Sequence, residues 1–209
     1  KKVFPKIQNN RMRLLLAMPV ISKKVRQMIC DEVVKAFGGE LYEVIIGGAA
    51  FNQEVESFLK KIEFPYTVGY GATECAPIIC YRDWQTFAQG SCGQAAYHME
   101  VKIDSSDPAH KPGEILAKGL NVMLGYYKNE EATNETLDKE GWYHTGDLGT
   151  MDYDGNVFIN GRSKNMLLGP NGQNIYPEEI EDKLNSMTMV VESVVVQRDT
   201  KLVGLVYPD

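Results

Sequence analysis

Residues 161–181 read GRSKNMLLGPNGQNIYPEEIE, and the reading of the fold turns on them. They follow the apolar run VFI (157–159), so Arg162 and Lys164 stand at the end of a strand. Gly169, Pro170 and Gly172 make a tight loop, narrow enough for a ligand to lie against backbone or simply a turn. Pro177 starts a helix in its first turn, where a missing N–H costs nothing. Glu178, Glu179 and Glu181 lie near the positive end of that helix dipole. Ile180, Leu184 and Met187 form its expected buried face. The runs VVESVVVQ and LVGLVY follow as strands, with a turn near Thr200. A small α+β module therefore begins at 163, with the junction near 162–164.

Upstream, the pattern is different. Ser22 is an expected N-cap for a helix with Val25, Met28, Ile29, Val33, Ala36 and Phe37 at helical spacing, Met28 included as core packing. Gly38-Gly39 closes it. LYEVII (41–46) reads as a strand ending in GGAA (47–50). Asn52 can cap a second helix, with Val55, Phe58, Leu59 and Ile62 buried and Pro65 beyond its end. A further strand, 66–69, runs into YGATE (70–74). Strand, glycine turn, helix, strand, glycine turn is the pattern of a parallel α/β sheet. Ligands in such sheets collect at the carboxyl ends of strands, where GGAA and YGATE lie. After about Gly90 the runs shorten between Gly, Pro and Asp turns. Asp154-Gly155 is a hairpin signal, and 130–138 is the one helical island. The expected architecture is thus α/β over 1–89, mainly antiparallel β over 90–162 in the manner of an open barrel, and a truncated α+β domain over 163–209.

Composition narrows the classes. The chain has 209 residues, 44% hydrophobic and 24% charged, ordinary for a globular protein. Its formal charge of −6, from 28 acidic and 22 basic residues, argues against a nucleic-acid partner. Cysteines 30, 75, 80 and 92 form no CxxC pair and have no histidine at zinc-finger spacing. They read as small buried thiols of a reduced, cytoplasmic chain. No apolar run approaches bilayer-spanning length. Peripheral membrane contact and self-association stay open.

Three short motifs carry chemistry. In YGATE, tyrosine can stack on a base, glycine admits close backbone approach, threonine can donate to a phosphate and glutamate can hold Mg²⁺. A strand-to-loop turn with Glu74 solvated is an equal reading of that motif alone. In YHTGDLG (143–149), Asp147 on a tight turn suits the two hydroxyls of a ribose. Taken alone, an aspartate satisfying its own turn backbone is the better reading. His144 reads as structural or pocket-lining, since no nucleophile and orienting acid accompany it. Arg162 suits ribose or phosphate oxygens because its guanidinium is always charged and rigidly forked. A surface ion pair is its plain alternative. Neither a Walker-type phosphate loop nor a GxSxG elbow occurs, and GSCG (90–93) is a turn.

Order and spacing add what single motifs lack. GGAA, YGATE, GEILAKGLNVMLGYYKNEEAT, GWYHTGDLG and the 161–181 stretch occur in this sequence in the order seen in the adenylate-forming superfamily. From about residue 41 onward the chain resembles that superfamily: acyl-CoA synthetases, luciferases and peptide-synthetase adenylation domains. NGQNIYPEEIE is closest to long-chain fatty acid–CoA ligases. The resemblance implies that Gly48 and Ala49 border the adenine and acyl pocket. It implies that Tyr70 packs on adenine, with Gly71 and Ala72 shaping the wall. Thr73 would touch the α-phosphate, Glu74 would bind Mg²⁺, and Asp147 and Arg162 would hold the ribose. Lys164 would sit at the hinge of a small mobile domain, Gly172 would flank the pantetheine channel, and Trp142 would line the site. The implied cofactors are ATP, Mg²⁺ and coenzyme A, and the implied partner is a fatty or other carboxylic acid. The implied reaction runs through acyl-AMP and pyrophosphate to acyl-CoA and AMP.

Two departures qualify this. A Ser/Thr/Gly-rich phosphate loop of the form TSGTTG-x-PK does not occur and is expected upstream of Lys1. Lysines 164, 183 and 201 do not stand in the context of the family's catalytic lysine, which is expected downstream of Asp209. The chain reads as a fragment, inactive alone. The alternatives are an adenylation domain that loads a carrier protein and a non-catalytic nucleotide-binding module of the same fold.

Overall fold

A computed structural model describes residues 19–48, 51–169, 173–199 and 201–209. The chain divides into two compact units, 1–44 with 53–66 and 45–52 with 67–209.

In the first unit, helix α1 (Pro19–Ala36) already includes Ser22, so Ser22 is not its N-cap. Its end is as expected: Gly39 N donates to Val34 O and Gly38 N to Lys35 O, with both glycines at positive φ. The buried side of α1 is set by Cys30, whose thiol donates to Glu63 O. Met28, 61% exposed, is not core. Periodicity marks both flanks of an apolar stripe equally, and packing chooses between them. Helix α2 (Gln53–Lys61) follows Asn52 and ends before Pro65. Ile62 and Phe64 are buried just beyond it. Glu56 is buried there too, accepting from the Tyr66 hydroxyl at 3.4 Å.

Strands β1 (Val44–Ile46) and β2 (Tyr66–Val68) pair. Within the first unit Val44 N donates to Pro65 O, and within the second Gly69 N donates to Ile46 O, the slanted offset of a parallel pair. The second unit continues with β3 (Tyr70–Gly71), a 3-10 turn (Thr73–Cys75), β4 (Ile78–Tyr81) and β5 (Gln94–Ala95). These three strands form one antiparallel sheet. Next come β6 (Met99–Asp104), β7 (Gly113–Gly119), α3 (Glu130–Thr136), β8 (Tyr143–Met151) and β9 (Val157–Arg162). The four strands make an antiparallel meander in sequence order, open at β6 and β9 and not a closed barrel. Residues 143–149 alternate buried and half-buried, the period-two pattern of a strand with one face in the core. Ile115, Ala117 and Val157 are fully enclosed there, the isoleucine and the valine each worth on the order of 1.5–3 kcal/mol of apolar burial. Ser91 Oγ donates to Ala88 O and accepts from Gly93 N, so GSCG is a turn.

Beyond β9 lie a 3-10 turn (Ser163–Asn165), a short hairpin of β10 (Leu167–Leu168) and β11 (Asn174–Ile175), helix α4 (Pro177–Asn185) and the hairpin β12 (Val190–Arg198) with β13 (Lys201–Pro208). Pro177 occupies the first turn of α4, as its chemistry requires. Ile180 and Leu184 are half-buried, whereas Met187 lies past the helix end and is exposed. The architecture is mixed α/β and antiparallel β followed by an α+β segment.

Candidate functional site

Three side chains from three strands meet. Tyr70 leaves β2 through Gly69 and is buried in β3, 7% exposed. Its hydroxyl donates to Asp147 Oδ2 at 2.6 Å. Asp147, 8% exposed in β8, lies directly opposite Arg162 of β9 in the strand register. Arg162 Nε reaches Asp147 Oδ1 at 3.0 Å from a largely exposed position. One carboxylate is therefore gripped on both oxygens by residues far apart in the chain. Burial first, and then the Asp147 charge and hydrogen bond, push the Tyr70 phenol well above its ordinary pKa, so it stays a donor. The expected adenine-packing role of Tyr70 is joined by this bond from its hydroxyl.

Backbone shape explains why Gly71 follows Tyr70. A Cβ built on Gly71 would stand 2.1 Å from Pro77 O, while Ala72 N donates to that same carbonyl at 2.8 Å. Only glycine lets the chain fold back so closely. Ala72 is extended and leads into the 3-10 turn that holds Thr73 and Glu74. Glu74 is half-buried. Its Oε1 accepts from the Tyr126 hydroxyl at 2.8 Å, and its carbonyl accepts from Met123 N at 2.7 Å. The Tyr126 bond, above all, holds the Glu74 carboxyl below its ordinary value. The Tyr143 phenol and the Arg162 charge act in the same direction. Glu74 is thus an anion within the field of Arg162. Among the described residues no cluster of three His, Cys, Asp or Glu side chains exists that would cage a cation. One carboxylate suits Mg²⁺ that keeps its waters and arrives with phosphates.

Gly48, at φ +89, closes the turn after β1. A Cβ on its neighbour Gly47 would stand 3.4 Å from Gly69 O, so this turn adjoins the start of YGATE. Thr73 and Lys164 are exposed in their 3-10 turns and make no hydrogen bond or ion pair with the cluster. Ala49 and Gly172 lie outside the described residues. Trp142 is half-buried and packs under Lys102, whose Nζ is 4.0 Å from the ring centroid. His144 Nδ1 pairs with Glu114 at 3.0 Å, a structural role.

Tyr126, Tyr143, Thr145 and Glu114 were not singled out from sequence. Their signal was present in the quoted motifs GYYK, YHTG and GEIL. Such residues read locally as turn or core, and only the fold brings the Tyr126 and Tyr143 hydroxyls to the Glu74 carboxylate and the Thr145 hydroxyl to backbone groups of Ile115 and Asp147.

The profile of AMP-binding enzymes matches residues 2–127. The 2-succinylbenzoate–CoA ligase of Bacillus cytotoxicus is 34% identical over 193 residues, 87% of this chain and 39% of that protein. Long-chain-fatty-acid–CoA ligase 1 of Saccharomyces cerevisiae is 28% identical over 216 residues, all of this chain and 31% of that protein. Among solved structures, O-succinylbenzoate coenzyme A synthetase of Bacillus subtilis in complex with AMP superposes with a TM-score of 0.73 at 26% identity. That match covers 86% of this chain and 39% of the synthetase. The chain therefore spans about two fifths or less of these relatives. A profile covering more than half of the chain, with relatives matching it nearly end to end, makes it a member of the AMP-binding enzyme family.

Proposed function

We propose that this chain is part of an ATP-dependent acid–CoA ligase and that Tyr70, Asp147 and Arg162 form its ribose site. The observation that carries the reading is the meeting of those three side chains. An ionised carboxylate offers about four acceptor positions. Tyr70 takes one on Oδ2 and Arg162 one on Oδ1. About one remains on each oxygen, which matches the two hydroxyl donors of a ribose. Gly48, Ala49, Gly71 and Ala72 border the adenine and acyl side, and Thr73 faces the α-phosphate. Glu74 would hold Mg²⁺ carried in with the triphosphate, a cation that offsets phosphate charge. Gly172 flanks the coenzyme A channel, and Lys164 is the hinge at which 163–209 begins a small mobile domain.

In this reading a carboxylate attacks the α-phosphorus of ATP, giving acyl-AMP and pyrophosphate. The coenzyme A thiol then displaces AMP. The residues described here act chiefly by holding the nucleotide in place. The acid is a fatty acid, a reading supported by similarity to the yeast ligase and to the Escherichia coli long-chain-fatty-acid–CoA ligase. Similarity to 4-coumarate–CoA ligases of Dictyostelium discoideum makes an aromatic acid the second reading. A panel of fatty acids of graded length and aromatic acids, followed by AMP release in the complete protein, tests both. AMP release that needs a carrier protein in place of coenzyme A would overturn the acceptor. The 209-residue chain holds no TSGTTG-type loop and alone turns over slowly. Pyrophosphate exchange by it at the rate of the complete protein would refute that. Cell fractionation tests the proposed cytoplasmic location.

A further inference from the structure

We propose that Glu114 is a positioning residue for the nucleotide: its carboxylate clamps a β-bulge that presents Asp147. The inference rests on the ribose reading above and adds a residue that does not touch Asp147.

Strands β7 and β8 change register at this point. Glu114 lies opposite Leu148, whereas Leu116 lies opposite His144. One residue of β7, Ile115, therefore faces three of β8, Thr145, Gly146 and Asp147. A second register shift separates Leu148 and Gly149 on the β9 side. Asp147 thus lies in the interrupted stretch on the β7 side while still pairing with Arg162 on the β9 side, one residue before the second shift, and such bulges re-aim side chains next to sites of chemistry. An interrupted ladder leaves backbone groups that need other partners.

Side chains supply them. Gly146 N donates to Glu114 Oε1 at 2.9 Å, and His144 Nδ1 lies 3.0 Å from Glu114 Oε2. Both oxygens of one carboxylate thereby hold two residues of the bulged segment. Thr145 Oγ1 closes the other side, accepting from Asp147 N at 3.0 Å and donating to Ile115 O at 2.7 Å. Gly146 adopts φ +70, the conformation glycine takes without strain, which lets its N–H turn toward Glu114. His144 Nε2 lies 3.8 Å from Asp138 Oδ2, beyond hydrogen-bond reach, so Glu114 is the hydrogen-bond partner that holds the imidazole. Without the Glu114 carboxylate the Gly146 amide loses its partner, and the segment is free to relax toward regular pairing. Asp147 would then leave the position at which Tyr70 and Arg162 grip it.

The test is calorimetric binding of AMP, 2′-deoxy-AMP and 3′-deoxy-AMP to the protein and to Glu114→Ala, Glu114→Gln and Asp147→Ala. The unmodified protein prefers AMP over both analogues. Glu114→Ala weakens AMP about five- to tenfold, the value of one lost hydrogen bond, and weakens each deoxy analogue, which keeps one hydroxyl for Asp147, by less. Glu114→Gln keeps the preference, because its amide oxygen still accepts from Gly146 N. Asp147→Ala that still prefers AMP would remove the ribose reading itself. Asp147→Ala without preference, beside Glu114→Ala with full preference, would overturn the clamp alone. Equal weakening of all three ligands by Glu114→Ala would also overturn it. A second measurement needs no variant: amide exchange at Gly146 slows when AMP binds. Exchange there that ignores AMP would overturn the coupling.

Discussion

The hydroxyl of Tyr70 donates to Oδ2 of Asp147 at 2.6 Å, across 77 positions of chain. Both groups are buried, so this bond is shielded from water and fixes one oxygen of the carboxylate. Hydrogen bonds to a charged partner are worth about 1.5–3 kcal/mol. Tyr70→Phe therefore weakens AMP binding by about tenfold or more. Calorimetry checks it, and the loss disappears when AMP is replaced by an analogue lacking both ribose hydroxyls.

Arg162 holds the other oxygen through Nε and is largely exposed. As a plain surface ion pair it would contribute little to stability. Its value lies in the fork geometry, which lysine does not reproduce. Arg162→Lys leaves the melting temperature nearly unchanged and weakens AMP by about three- to tenfold. A drop in stability without a change in affinity would contradict this.

Gly71→Ala places a methyl group within 2.8 Å of two backbone atoms of Pro77. No side chain can swing away, so backbone must move. The expected cost is about 3 kcal/mol, the upper end for overpacking. That corresponds to roughly 6–12 °C in a thermal melt of a chain this size.

The Glu74 carboxyl is depressed below 4.5, first by the Tyr126 hydroxyl. A depressed acid adds stability that is complete above its unfolded value and is lost as pH falls through the lower folded value. Tyr126→Phe should shrink that acid-side loss while leaving the neutral-pH slope unchanged. Melting temperatures recorded down through the acid range decide it.

Asp182 on α4 behaves oppositely, because burial raises its carboxyl above 3.8. Between the unfolded and folded values the folded state binds more protons, so stability falls as pH rises through that window. Asp182→Asn removes this penalty. It raises the melting temperature at neutral pH and flattens the dependence in that window on the acid side.

The sequence by itself determined what depends on neighbours along the chain. Asp154-Gly155 makes the turn between β8 and β9, and Pro177 starts α4, because each residue restricts its own dihedrals. The double glycine ends α1 for the same reason. Motif order carried the family, and with it the expectation that Asp147 and Arg162 act together. Only the tertiary structure decided which flank of α1 is buried, so that Cys30 is inside and Met28 outside. It also decided that Glu56 is enclosed beside Tyr66, and that the Tyr70 hydroxyl ends on Asp147. Local dihedral preference spans a few residues. The bond from Tyr70 to Asp147 joins strands of two different sheets, so it is set by the bulges within the sheets and by their packing on one another, which arise only when the tertiary structure has assembled.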